Sequence, residues 1–310
     1  MRTLKKNKRI KGLNKTSRNL KMNCNPLVKG KTVSKETCYT VDIIMKIKNE
    51  YNKQHSNAEQ ILINDPTEIW NILKSRLKCG KEDCWLNQIK DFKLKKIIDE
   101  YLFAPDAPPE WEKNPNEWLT NYDILDILDQ YQDTYPNFEF LGPSPIDFDT
   151  KLPERSDTCI ESSICNFSLE KQLANKKTKI GFVFNLDKHN EPGSHWVSLF
   201  VDMDNKIIYY FDSGGDFIPN EIKLLSKRIR EQGLQLNKPI HFKYYDNHGN
   251  DHQKGNTECG MYSLFFIITM LTGEVEGNPY TMKRRIRLFS KGNITDKYIE
   301  NYRHIYYNKK

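Results

Sequence analysis

Residues 194–213, SHWVSLFVDMDNKIIYYFDS, decide the reading of this chain. Two apolar, β-branched and aromatic runs flank Met203-Asp204-Asn205, which is the pattern of a hairpin. A two-residue turn at Met203-Asp204 places His195 directly opposite Asp212, and a turn at Asp204-Asn205 makes them diagonal neighbours. The two-residue pleat keeps both side chains on one face in either register. A histidine and a carboxylate therefore meet at the open end of an apolar hairpin. The carboxylate can fix the imidazole tautomer and stabilise the imidazolium, as in catalytic triads. The alternative is a satisfied structural pair at a sheet end, which is common in folded proteins.

Working outward, KIGFVFNLD (179–187) and IHFKYYDN (240–247) also read as strands. Between the hairpin and the last strand lies PNEIKLLSKRIREQG (219–233), an amphipathic helix expected to close on Gly233. EWLTNYDILDILDQYQ (117–132) is helical, with Ile124, Leu125, Leu128 and Tyr131 as its buried stripe and Trp118 at its start. FLGPSPIDFD (140–149) reads as a turn-rich connector. Upstream, 39–54, 57–77 and 84–101 read as helices, with Asp65 as an N-cap before Pro66. Four prolines between 105 and 115 mark a boundary. The expectation is an α+β protein: a basic arm at 1–35, an α-helical accessory domain at 36–103, and a core at 104–310 with the hairpin at its centre.

Bulk properties narrow the function. The net charge of +7 hides an asymmetry, because residues 1–35 hold twelve Lys or Arg and no Asp or Glu, leaving −5 on the remaining 275. Such an arm suits nucleic acid or an acidic partner, or is simply a solvated tail. No apolar run reaches the roughly 20 residues of a membrane span, and the N-terminus lacks a secretory h-region, so a soluble, non-secreted protein is expected. Seven scattered cysteines, an odd number, argue against a disulfide framework. Cys79/Cys84 and Cys159/Cys165 are not at the tight spacing of zinc sites, so buried free thiols are expected there.

Cys259 is different. In QKGNTECGMYSLFFIITMLTG (253–273) it opens a long apolar helix, where unpaired N–H groups and the helix dipole favour a thiolate. Gly260 leaves space beside the sulfur for a substrate carbonyl. Gln253, six residues upstream, offers an amide to a developing oxyanion, with the Cys259 N–H as a second donor. A nucleophile, a base, an orienting acid and an oxyanion donor are then all present.

His195-Trp196, Asp212 seventeen residues after that histidine, and Gln253-x5-Cys259-Gly260 resemble the ubiquitin-like-protein protease superfamily, which includes SUMO proteases and the adenovirus protease. EWLTNYDIL (117–125) is similar to that family's opening WLND-x-x-I helix, with Asn121 and Asp123 slightly shifted. Glu258 stands where the family usually has Asp before the cysteine. The resemblance implies a papain-like core with a central mixed sheet packed between helices, and Cys259 as nucleophile, His195 as general base and acid, Asp212 as orienter and Gln253 as oxyanion donor. It also implies that Trp118 and Trp196 wall a narrow tunnel over a Gly-Gly segment, the alternative being ordinary core packing. A helical arm with CGKEDCWL (79–86), then PPEWEKNPNEWL (108–119) and GPSPIDFD (142–149), resembles the thiol proteases of large nucleocytoplasmic DNA viruses. That implies an endopeptidase cutting after Gly-Gly in viral structural precursors, in the virion and the host cytoplasm, with no metal or organic cofactor. The rival readings are removal of ubiquitin or a SUMO-like modifier, and an inactive protease-fold virion protein that binds nucleic acid through residues 1–35.

Overall fold

A computed structural model describes residues 21–152 and 158–309, so most of the basic arm lies outside the described residues. The described residues divide into two compact units, Thr32–Asp99 with Lys21 and Met22, and Asn23–Lys31 with those from Glu100 onward. Part of the segment expected as an arm, Asn23–Lys31, thus belongs to the larger unit.

The smaller unit contains α1 (Val41–Gln54), α2 (Pro66–Leu77) and most of α3 (Phe92–Leu102). The Asp65 carboxylate accepts from the Glu68 N–H and Pro66 fills the first helical position, so α2 starts at the expected cap and the helical range 57–77 is shorter by its first nine residues. The helix expected over 84–101 is broken. A 3-10 segment, Glu82–Gln88, comes first, and α3 begins where Asp91 accepts from the N–H groups of Lys93 and Leu94. Trp85 stacks on Tyr39 at 5.2 Å beside the buried Glu82, which accepts from Trp70 Nε1 at 2.8 Å.

In the larger unit, five strands form one sheet: β1 (Phe138–Pro145), β2 (Lys179–Asn185), β3 (Trp196–Asp202), β4 (Ile207–Phe211) and β5 (Lys243–Tyr245). Their spatial order is their chain order. The outer pairs β1/β2 and β4/β5 are parallel and the inner pairs antiparallel. The stretch read as a connector supplies β1. Its prolines are tolerated because β1 is an edge strand whose register shifts between Leu141 and Ser144.

Helices α4 (Asn121–Thr134), α5 (Asn220–Gln235), α6 (Cys259–Thr272), α7 (Met282–Lys291) and α8 (Asp296–Tyr306) cover this sheet. On one face Phe200, Tyr209 and Phe211 pack with Phe266, Phe289 and Tyr302 of α6, α7 and α8 and with Ile124 and Leu128 of α4. On the other, Val197, Leu199, Val201, Ile208 and Tyr210 pack with Ile222, Leu225 and Ile229 of α5. Both faces being covered explains why β3 and β4 are buried at every position. Gly233 does not close α5 but sits inside it. A Cβ there would stand 2.8 Å from the Phe242 ring, so the glycine admits the chain leading into β5.

The expectation of free thiols and no disulfide framework is overturned at two cysteine pairs. Cys79 is joined to Cys84 and Cys159 to Cys165, the Cα atoms being 6.2 and 6.3 Å apart, within disulfide reach. Among the described residues Cys259 is the free cysteine. Among the described residues no helix is long and apolar enough to cross a membrane.

Candidate active site

The hairpin adopts the second of its two registers. Ser198 pairs with Phe211 and Asp202 with Ile207, so the turn is centred on Asp204-Asn205. The Asp202 carboxylate fixes it by accepting from the Asn205 N–H at 2.8 Å. His195 immediately precedes β3 and Asp212 immediately follows β4, which makes them the diagonal pair on one face. His195 Nε2 lies 2.7 Å from Asp212 Oδ1. Asp212 is buried, and the same oxygen accepts from the Gly214 N–H at 2.9 Å. Asn247 brackets the Asp212 backbone: its Oδ1 accepts from the Asp212 N–H and its Nδ2 donates to the Asp212 carbonyl.

With Nε2 engaged by Asp212, Nδ1 is the nitrogen left for the second partner of the ring, the Cys259 thiol at the first position of α6. Burial alone would lower the His195 pKa. The hydrogen bonds to Asp212 and Cys259 and the charges of both outweigh burial and raise it to about 10. At neutral pH the imidazole therefore carries its proton beside the sulfur.

The loop before α6 is gripped from two sides. Ser213 Oγ donates to Gln253 Oε1 at 2.7 Å, and the Ser213 carbonyl accepts from the Gln253 N–H at 2.9 Å. Gln253 Nε2 donates one proton to the Gly255 carbonyl at 3.1 Å, which leaves its second N–H for another acceptor. Asp296, in the first turn of α8, accepts from the N–H groups of Lys254 and Gly255 and from the Tyr262 hydroxyl. Glu258, the N-cap residue of α6, is clamped by Arg303 of α8 through Nε at 3.0 Å and Nη2 at 3.1 Å. Both side chains are almost fully buried. Arg303 Nη1 also donates to the Glu117 carbonyl, next to Trp118, at 2.9 Å.

Trp118 and Trp196 line one cavity of about 690 Å³, together with Leu119, Pro143, Asn185 and Gly193. Trp118 is more than one-third exposed, whereas Trp196 is buried and donates from Nε1 to the Leu119 carbonyl at 3.0 Å. Gly260 has a different neighbour from the one expected. A Cβ at Gly260 would stand 3.0 Å from Leu119 Cβ, so the space it leaves is filled by Leu119 rather than lying open. The glycine brings the Trp118–Leu119 segment against the start of α6. A capping box between Thr120 and Asp123 then launches α4 in the direction that leaves Trp118 at the cavity.

Residues 141–309 match the Ulp1 protease family, C-terminal catalytic domain. A protein of Acanthamoeba polyphaga mimivirus that bears the name of a thiol protease is 31% identical over 77% of this chain and 81% of its own length. This chain belongs to the Ulp1 protease family. It is a cysteine peptidase by that membership. A cysteine protease of African swine fever virus is 28% identical over 63% of this chain and 74% of its own length. The crystal structure of the protease of that virus shares the fold, with a TM-score of 0.62 at 23% identity over 93% of this chain and 96% of that one.

In this Ulp1-family peptidase the structure brings His195, Asp212 and Cys259 together and places Gln253 on the loop leading to Cys259. Sequence reasoning did not reach Ser213, Asn247, Asp296 or Arg303. Ser213 follows Asp212 directly and could have been considered from its position alone. The other three lie 35, 84 and 91 residues from Asp212 in the chain, and only the packing of α8 and of the 246–251 loop gives them their partners.

Proposed function

We propose that this cysteine peptidase is an endopeptidase that cleaves after Gly-Gly in viral structural precursors. The single observation that carries the assignment of roles is His195 held between the Asp212 carboxylate at 2.7 Å and the Cys259 thiol. With the thiol proton held by His195, Cys259 Sγ attacks the scissile carbonyl carbon and the carbonyl electrons move to oxygen. Gln253 Nε2 and the Cys259 N–H, which has no intrahelical partner at the first helical position, receive that oxyanion. Collapse breaks the C–N bond, His195 gives its proton to the leaving amine, and a thioester remains. Water, deprotonated by the now neutral His195, attacks the thioester carbonyl, the C–S bond breaks, and the sulfur is restored beside protonated His195.

Specificity for glycine is supported by the two tryptophans beside one cavity, since flat indole walls leave little width for side chains. The viral setting, in virions and the host cytoplasm, is supported by the two viral proteins named as proteases above. The test is mass spectrometry of products from a Gly-Gly-containing structural precursor incubated with wild-type and Cys259→Ala protein. Cleavage after Gly-Gly by the wild type alone is expected, and equal processing by both overturns the assignment of Cys259.

A second reading has one observation in its favour, the name SUMO-1 cysteine protease carried by related African swine fever virus proteins. Labelling by SUMO or ubiquitin probes without cleavage of Gly-Gly peptides would replace endoproteolysis by deconjugation.

A further inference from the structure

The hairpin that holds His195 and Asp212 at one end carries a second site at the other. Counting the five residues of β4 at the rise of an extended strand, the two ends are roughly 17 Å apart. There the turn before β4, strand β5 and helix α7 enclose a groove of about 880 Å³. Its floor is apolar, with Tyr245, Met282 and Ile286. Its rim is Lys206, Lys243, Lys283, Arg287 and Lys291, with His241 between, and no carboxylate lines it.

These cations are not incidental to the fold. Lys206 holds a left-handed backbone, φ +57°, and its carbonyl accepts from the Lys243 N–H at 2.9 Å, which sets the turn before β4 beside the start of β5. Lys283, Arg287 and Lys291 recur every four residues and so share one face of α7, while Phe289 anchors the opposite face in the core. Like charges at that spacing destabilise an isolated helix, and α7 carries no Asp or Glu to offset them. All five rim cations are exposed, and among the described residues none forms an ion pair. A row of unneutralised point charges over an apolar floor with an aromatic ring is the composition of a single-strand nucleic-acid groove. There the phosphates track the cations and the bases lie on the floor. Four of the five are lysines, which suit phosphates as point charges, whereas carboxylate recognition favours the planar arginine fork.

We propose that this groove, distinct from both the peptidase site and the basic N-terminal arm, binds single-stranded nucleic acid through its phosphate backbone. The proposal does not depend on the substrate of the peptidase.

The test uses the full chain, with a fluorescein-labelled mixed-sequence 20-nucleotide single strand as the probe, titrated by anisotropy over a salt series. The variant Lys206→Glu/Lys243→Glu/Lys283→Glu/Arg287→Glu should bind at least about tenfold more weakly. Its log Kd against log salt slope should fall by roughly 3, at about 0.7 for each phosphate no longer neutralised. A charge-matched control, Lys90→Glu/Lys151→Glu/Lys223→Glu/Arg230→Glu, should retain most of the affinity. Every protein keeps residues 1–35, so any contribution of the arm cancels, and thermal unfolding verifies that each variant is folded. Equal loss in the groove and control variants overturns the proposal. So does a poly-glutamate competitor as effective as the oligonucleotide, which would make the groove a surface for acidic proteins. Tighter binding of duplex than of single strand overturns the assignment to single strands.

Discussion

Arg303 should couple the stability of the peptidase domain to the position of its nucleophile. Its guanidinium makes two bonds to Glu258, reaches the carbonyls of Glu117 and Thr257, and lies 4.4 Å over the Trp111 ring. Arg303 and Glu258 side chains are only 3% and 2% exposed, so neither charge is compensated by water. Arg303→Met keeps the volume but leaves Glu258 buried without its cation, a change that costs about 3–5 kcal/mol. At about 2–4 °C per kcal/mol, the melting temperature should fall by roughly 6–20 °C. Glu258 adjoins Cys259 and Glu117 adjoins Trp118, so removing the clamp loosens both the sulfur and the cavity wall. A displacement near 1 Å costs on the order of a hundredfold in rate. Arg303 is a positioning residue, and the assay must separate that from simple unfolding. We therefore expect kcat on a Gly-Gly peptide to drop by about that factor at a temperature where Arg303→Met is fully folded, with KM changed much less. Arg303→Met/Glu258→Gln should recover most of the melting temperature but not kcat, because the bonds to the Glu117 and Thr257 carbonyls are still missing. If Arg303→Met melts within about 2 °C of wild type, or if the folded variant retains full kcat, the reasoning fails.

Asp212→Asn removes the charge and the carboxylate acceptor that help hold the His195 pKa near 10. A group whose folded pKa is raised keeps its proton until pH passes that value, so the alkaline limb of kcat/KM should move to lower pH in the variant; an unmoved limb would exclude Asp212 as the cause. Ser213→Ala frees the Gln253 amide to rotate, because Ser213 Oγ is the donor to its carbonyl oxygen. We expect kcat to fall by about 10- to 100-fold with little change in KM, below the full effect of removing an oxyanion donor. Full activity in steady-state assays would show that the Gln253 backbone alone fixes the donor.

Much of this fold is legible in local pattern. The hairpin announces itself because apolar β-branched and aromatic runs flank a polar turn, and the capped start of α2 because Asp65 precedes Pro66. β1 is not legible, since Gly142, Pro143 and Pro145 signal a turn unless the strand is known to lie at an edge. The helix ends at 57–65 and around Gly233 are not legible for a related reason. Periodicity does not reveal which backbone donors are capped, or which neighbour needs a glycine's missing side chain.

By itself the sequence determined the chemical parts: a histidine and an aspartate on one face of a hairpin, a cysteine opening an apolar helix, and a glutamine upstream of it. Parity along a strand and position in a helix's first turn are local properties, so they survive without coordinates. Only the tertiary structure decided the hairpin's register and the pairing of Cys79 with Cys84 and of Cys159 with Cys165. It also decided the supports from Ser213, Asn247, Asp296 and Arg303, and the gathering of cations from three elements around one groove. These are meetings of residues far apart in the chain, and they exist only once the sheet and the C-terminal helices have packed.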